Sequence, residues 1–162
     1  MHVDAGGQRD APVPSAEAGV SFVMPVLNEA RYLERAVQSV LAQQTPGPME
    51  LILALGPSSD GTDEIAERLA AGDERILLVR NPDADIPTGL NLAIARSTLA
   101  TIVRVDAHSE LAPGYTLRAL ETLARVRAAN VGGVMQADGR TPFQRAVARA
   151  RRPVVRACRA GS

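Results

Sequence analysis

Aspartate and histidine two residues apart, Asp106 and His108, stand in the stretch "ATIVRVDAHSELAPGY" (100–115), where an apolar, β-branched run gives way to proline and glycine. Residues i and i+2 at a strand end point to the same side, so this carboxylate and this imidazole are placed to grip one cation. Aspartate suits Mg2+ or Mn2+, and adding an imidazole tilts the choice toward Mn2+ or a later transition metal. A cation held by only two protein ligands keeps open positions, typically filled by substrate phosphates. Taken alone, D-x-H is more often an exposed turn in which Asp106 caps the following helix.

Other polar residues carry the same double reading. Asp60 in "SSDGT" could accept hydrogen bonds from a nucleobase edge, or form an Asp-Gly turn followed by a Thr62 N-cap. Glu29 could bind a ribose hydroxyl, or simply favour the positive end of its helix. Asn91 and Arg80 could face a ligand, or be helix surface and solvated strand end. Several site classes are missing. No G-x-x-x-x-G-K-[ST] phosphate loop occurs, and all eighteen basic residues are arginine. There is no G-x-G-x-x-G after the first apolar run, no G-x-S-x-G elbow and no cysteine spacing for zinc.

The elements that must position these residues alternate. "VSFVMPV" (20–26), "MELILALG" (49–56), "ERILLVRN" (74–81) and "ATIVRVDA" (100–107) read as buried strands, with "NVGGVMQ" (130–136) as a last short one. Between them, residues 28–44, 63–72, 86–98 and 112–128 show helical spacing, the first with Asn28 as N-cap. Apolar strands alternating with helices predict an α/β fold with a mostly parallel sheet covered on both faces. Ligands bind such sheets outside the carboxyl ends of the strands. Three loops at those ends, "PVLNEA", "GPSSDGT" and "VDAHSE", each carry an acid. A structural sheet needs none of them there, so the loops are expected to share one site.

Composition bounds the rest. The chain has 162 residues, 46% hydrophobic and 22% charged, as a soluble globular domain does. Only 2% is aromatic, so the core must be aliphatic. Acids and bases balance at eighteen each, which favours no partner class and gives no reason to expect nucleic acid. Cys158 stands alone and suits a reducing compartment. Without a signal-peptide h-region or the ~20 apolar residues of a membrane span, the expected location is cytoplasmic.

In this order, "VSFVMPVLNEARYLERAVQSVLAQ", "ELILALGPSSDGTDEIAERLA" and "NPDADIPTGLNLAIARSTLATIVRVDAHSELAPGY" resemble glycosyltransferase family 2 over about residues 19–145. The likeness is strongest to its succinoglycan-biosynthesis branch, where the family's D-x-D is often written D-A-H. The resemblance implies a Rossmann-like GT-A fold and a nucleotide-diphosphate sugar donor, usually a UDP-sugar. It implies that Pro25, Asn28 and Glu29 line the nucleoside pocket, that Asp60 meets the uracil, and that Asn91 sits in the helix whose start faces the nucleotide. Asp106 and His108 would hold the Mn2+ or Mg2+ bridging the two phosphates, with Asp106 counted in the nucleotide site as well. Transfer would be inverting, to a polysaccharide or lipid-linked acceptor.

The sequence departs from the family where an acceptor-binding half and its general base are expected. Asp138, the last acid, is not at the position of that base, so the base is expected beyond the end of this chain. The expected organisation is a disordered leader (1–18), a partial nucleotide-sugar-binding domain (19–140) and a basic tail (141–162). After Asp138 come seven arginines and no acid, and Pro153 would break a helix. This tail reads as a shifted frame or truncated gene, or as a basic segment that meets an acidic partner or the inner face of the plasma membrane. Alternative readings are a non-catalytic nucleotide-sugar-binding module, a transferase completed by a dimer or partner chain, and a flavodoxin-like domain matching by chance.

Overall fold

The strands are the most apolar stretches of the chain, and they stack into one sheet. The computed structural model describes residues 19–133, almost all within a compact unit ending at Val131. The expected leader and basic tail lie outside the described residues. Four strands, β1 (Val20–Val26), β2 (Met49–Leu55), β3 (Ile76–Arg80) and β4 (Thr101–Arg104), pair in parallel in the order β3-β2-β1-β4. Central β1 sets Phe22 opposite Leu51 on one side and Val103 on the other.

The two-residue period of β1 divides the core. Val20, Phe22, Met24 and Val26 pack with Leu51, Leu53 and Leu55 against α1 (Leu33–Leu41) and Ala66 of α2 (Thr62–Gly72). Val23, Ile52 and Ala54 face the other way, onto Ala93 of α3 (Ile86–Arg96). Helices therefore cover both faces, as expected of apolar parallel strands. The fourth helix, α4 (Tyr115–Val126), buries Thr116 and rests Leu120 on the larger core cluster.

Several boundaries differ from the sequence-based expectation, each for a local reason. Helix α1 starts at Leu33, not after an Asn28 cap. Asn28 adopts a left-handed φ of +54°, and its side chain accepts from Ser59 N–H at 2.9 Å, so its amide is spent on a neighbouring loop. Thr62 is the first residue of α2, not its cap. The capping position belongs to Gly61 at φ +86°, a conformation that costs a side-chain-bearing residue about 1–2 kcal/mol. No strand forms over 130–133, and the rest of the expected last strand lies outside the described residues.

After β3 the chain passes to the far side of β1 to lay down β4. The carboxyl ends of β1 and β4 thus flank the point where strand order reverses, where open α/β sheets leave a crevice. Candidate ligand-binding residues from both strand ends meet there.

Candidate functional site

A cleft of about 310 Å³ opens at this reversal, within the size range of small-molecule sites. One wall is the end of β1, with Pro25, Leu27 and Glu29. A second is the end of β4, with Arg104, Asp106 and His108. The third is the turn from β3 into α3, with Asn81, Ala84, Asp85 and Ile86. Asp85 caps α3 by accepting from Thr88 N–H at 2.9 Å, and hydrogen bonding from Thr88 holds its carboxyl below the ordinary value.

Asp106 and His108 both line the cleft, but they stand in a turn beyond the strand and not at i and i+2 of its end. The strand ends at Arg104, and Ser109 N–H closes on Asp106 C=O at 2.8 Å, while Ala107, between Asp106 and His108 in sequence, is buried in the core. Each has a protein partner. Arg104 donates to Asp106 Oδ1 from Nη2 at 3.0 Å and from Nε at 3.2 Å. His108 Nδ1 lies 2.9 Å from Glu29 Oε1.

No group of three His, Cys, Asp or Glu residues able to hold a metal occurs among the described residues. By their chemistry Asp106 and His108, both in the cleft lining, are the side chains that would hold a divalent cation. Asp106 supplies oxygen, which Mg2+ and Mn2+ favour, and His108 supplies nitrogen, which Mn2+ accepts more readily.

Asn28 and Asp60 stand in the loop contact next to the cleft, outside its lining. Asp60 Oδ2 accepts from Ala30 N–H at 3.1 Å, and Asp60 Oδ1 takes both the hydroxyl and the N–H of Thr62. The Thr62 hydroxyl in turn accepts from Glu29 N–H at 2.8 Å. These bonds, the Thr62 hydroxyl foremost, hold the Asp60 carboxyl below its usual range. Asn91 lies exposed on α3 and is not part of the lining. Arg80 pairs with Asp63 and Glu67 of α2.

Arg104, Asp85 and Asn81 escape sequence reasoning, and Thr62 enters it only as a helix cap. Asn81 is 4% exposed, donates from Nδ2 to Asp85 C=O at 3.0 Å, and leaves its buried Oδ1 without a partner. Gly89 makes room for it, since a Cβ there would stand 2.9 Å from Nδ2. Arg104 and Asp85 had a signal to offer, the first its i−2 spacing from Asp106, the second its place two residues before Pro87 at a helix start.

Known proteins share this framework. The succinoglycan biosynthesis protein ExoA of Rhizobium meliloti is 35% identical over 129 residues, 78% of this chain and 39% of that protein. A PGL/p-HBAD biosynthesis glycosyltransferase of Mycobacterium tuberculosis is 32% identical over 67% of this chain and 40% of its own length. The chain thus spans about two-fifths of these relatives. Among solved structures, the mannosyltransferase PcManGT from Pyrobaculum calidifontis, in complex with GDP-Man and Mn2+, superposes with a TM-score of 0.61 at 25% identity, over 74% of this chain and 36% of that one. S. aureus TarS in complex with UDP gives 0.57 at 14% identity, over 74% of this chain and 39% of its own, which bears on the fold alone. The four-stranded parallel sheet with its covering helices is that of GT-A glycosyltransferases. Residues 21–157 match the family profile described as glycosyl transferase family 2, and the chain belongs to that family.

Proposed function

We propose that the cleft binds a nucleoside-diphosphate sugar, with Asp106 and His108 holding Mn2+ or Mg2+, in the service of glycosyl transfer. The observation that carries this reading is the convergence of Asp106 and His108 with Pro25 and Glu29 on one cleft at the reversal of strand order. The donor is a UDP-sugar and the acceptor a saccharide or lipid-linked saccharide. Transfer inverts the anomeric centre by direct attack of an acceptor hydroxyl. A divalent cation bound here would supply Lewis-acid stabilisation of the departing diphosphate. This chain's own residues orient the donor. Glu29 of the β1 wall and His108 of the β4 wall meet at 2.9 Å, and Asn81 lines the β3–α3 wall in the room that Gly89 leaves for its amide. No residue of the cleft is assigned as the base that takes the acceptor's proton.

Calorimetric titration with UDP and with GDP, with and without Mn2+, tests the proposal. Wild-type protein should bind UDP more tightly than GDP, and only with the metal. Asp106→Asn should lose that metal-dependent binding while keeping the wild-type circular dichroism spectrum. Metal-independent binding that survives the substitution would remove Asp106 from the site. A preference for GDP would replace the UDP assignment while keeping the cleft.

A further inference from the structure

Arg104 holds the carboxylate on which a cation would sit. Its Nε and Nη2 both donate to Asp106 Oδ1, at 3.2 and 3.0 Å. The pair is open to solvent, with side-chain exposures of 53% and 32%. Pairs this exposed hold weakly and exchange partners at small cost. The cleft also has a charge problem. Its lining carries three carboxylates, Glu29, Asp85 and Asp106, against one guanidinium, Arg104, a formal sum of −2 over these four side chains. A divalent cation would bring that sum to zero, and among the lining's own side chains Arg104 is the one permanent cation able to meet a diphosphate.

We propose that Arg104 is an exchangeable counter-ion. Without a cation it neutralises Asp106; when a divalent cation takes Asp106, the freed guanidinium turns to the diphosphate of the donor. An arginine is suited to both partners, because its planar fork of N–H donors matches carboxylate and phosphate oxygens alike. Arg104 acts here as a positioning and specificity residue for the diphosphate, and the assignment rests on the donor-site reading above. It makes metal and diphosphate binding mutually reinforcing, since each removes one of the two claims on the same side chain.

Two affinities with opposite expected signs test it. Free Mn2+ is followed by electron paramagnetic resonance as protein is titrated without nucleotide, and UDP binding at saturating Mn2+ is followed by calorimetry. Arg104→Ala should bind Mn2+ alone about two- to fivefold more tightly, because a competitor for Asp106 is gone. The same variant should bind UDP in saturating Mn2+ about tenfold more weakly, because a charge-assisted contact is lost. Arg104→Lys keeps the charge and should return Mn2+ affinity toward wild type. A purely structural role for Arg104 would move both affinities in the same direction, and that result overturns the proposal. Wild-type binding of both ligands, unchanged in Arg104→Ala, overturns the Arg104 assignment and leaves the donor site standing. Wild-type protein that binds neither Mn2+ nor UDP overturns both.

Discussion

At the scale of single residues, the loops around the cleft are built by short polar side chains that bond across sequence gaps of about thirty residues. Asp60 is the clearest case, accepting from Ala30 N–H and from both donors of Thr62, so its ionised form is favoured in the folded chain. A carboxyl whose folded pKa is depressed adds stability above its unfolded pKa, near 3.9, and that stability is lost as pH falls through the folded value. Asp60→Asn should therefore melt below wild type at pH 7, with the gap narrowing as pH drops below about 4. Thermal melts from pH 7 to pH 3 measure it, and a gap that stays constant would mean the charge on Asp60 contributes nothing. Sequence reasoning singled out Asp60, Glu29, Asp106 and His108 because each sits at a strand end in a legible pattern. It read Thr62 only as a helix cap because the Glu29–Thr62–Asp60 relay joins two loops, and such a relay has no period or motif in either. As a helix cap Asn28 was misplaced: a cap residue and a left-handed loop residue can be the same amino acid and differ in φ.

At the scale of elements, strands and helices were legible wherever apolar residues recur with period 2 or 3.6, and their ends were not. Helix α1 begins five residues after Asn28 because the intervening backbone closes tight turns on Glu29 C=O, to Tyr32 and Leu33 N–H, each at 2.9 Å. Strand β4 stops at Arg104 because the turn at Asp106–Ser109 takes over. A polar joint at the opposite end of the sheet was equally invisible. Glu50 on β2 accepts from the Ser21 hydroxyl of β1 at 2.6 Å and from Thr98 N–H, between α3 and β4, at 2.6 Å. Burial works to raise its pKa, but hydrogen bonds from Ser21, Thr98 and Leu99 together outweigh it and lower the value. One carboxylate therefore ties three elements. Glu50→Ala should cost about 1.5–3 kcal/mol, the range for hydrogen bonds to a charged group. Urea unfolding would show it as a lower midpoint at unchanged slope. A loss within 0.5 kcal/mol, the size of an ordinary surface change, would reduce this joint to decoration.

At the scale of the molecule, stability and function divide the fold between them. Central β1 and β2 are buried along most of their length and flanked by strands on both sides, whereas α4 buries Thr116 alone among its twelve residues. Besides Leu120 on the core, one side chain holds it. Gln43, 7% exposed, accepts from Thr116 N–H and hydroxyl at 3.2 Å and donates to Ser39 and Ala112 C=O at 3.2 Å. Local opening of α4 should therefore be far easier than global unfolding. Hydrogen exchange followed by mass spectrometry should find α4 amides at least about tenfold faster than those of β1 and β2. Gln43→Ala leaves the Thr116 N–H buried without its partner, which costs about 1–3 kcal/mol, so α4 exchange should speed up by a further tenfold or more. The strands should slow or quicken only with global stability, measured separately by urea. Uniform protection across α4 and the sheet would mean that the helix opens only with the whole unit. The cleft would then sit on a single cooperative body, and the exchange of Arg104 between partners would have to proceed by side-chain motion alone.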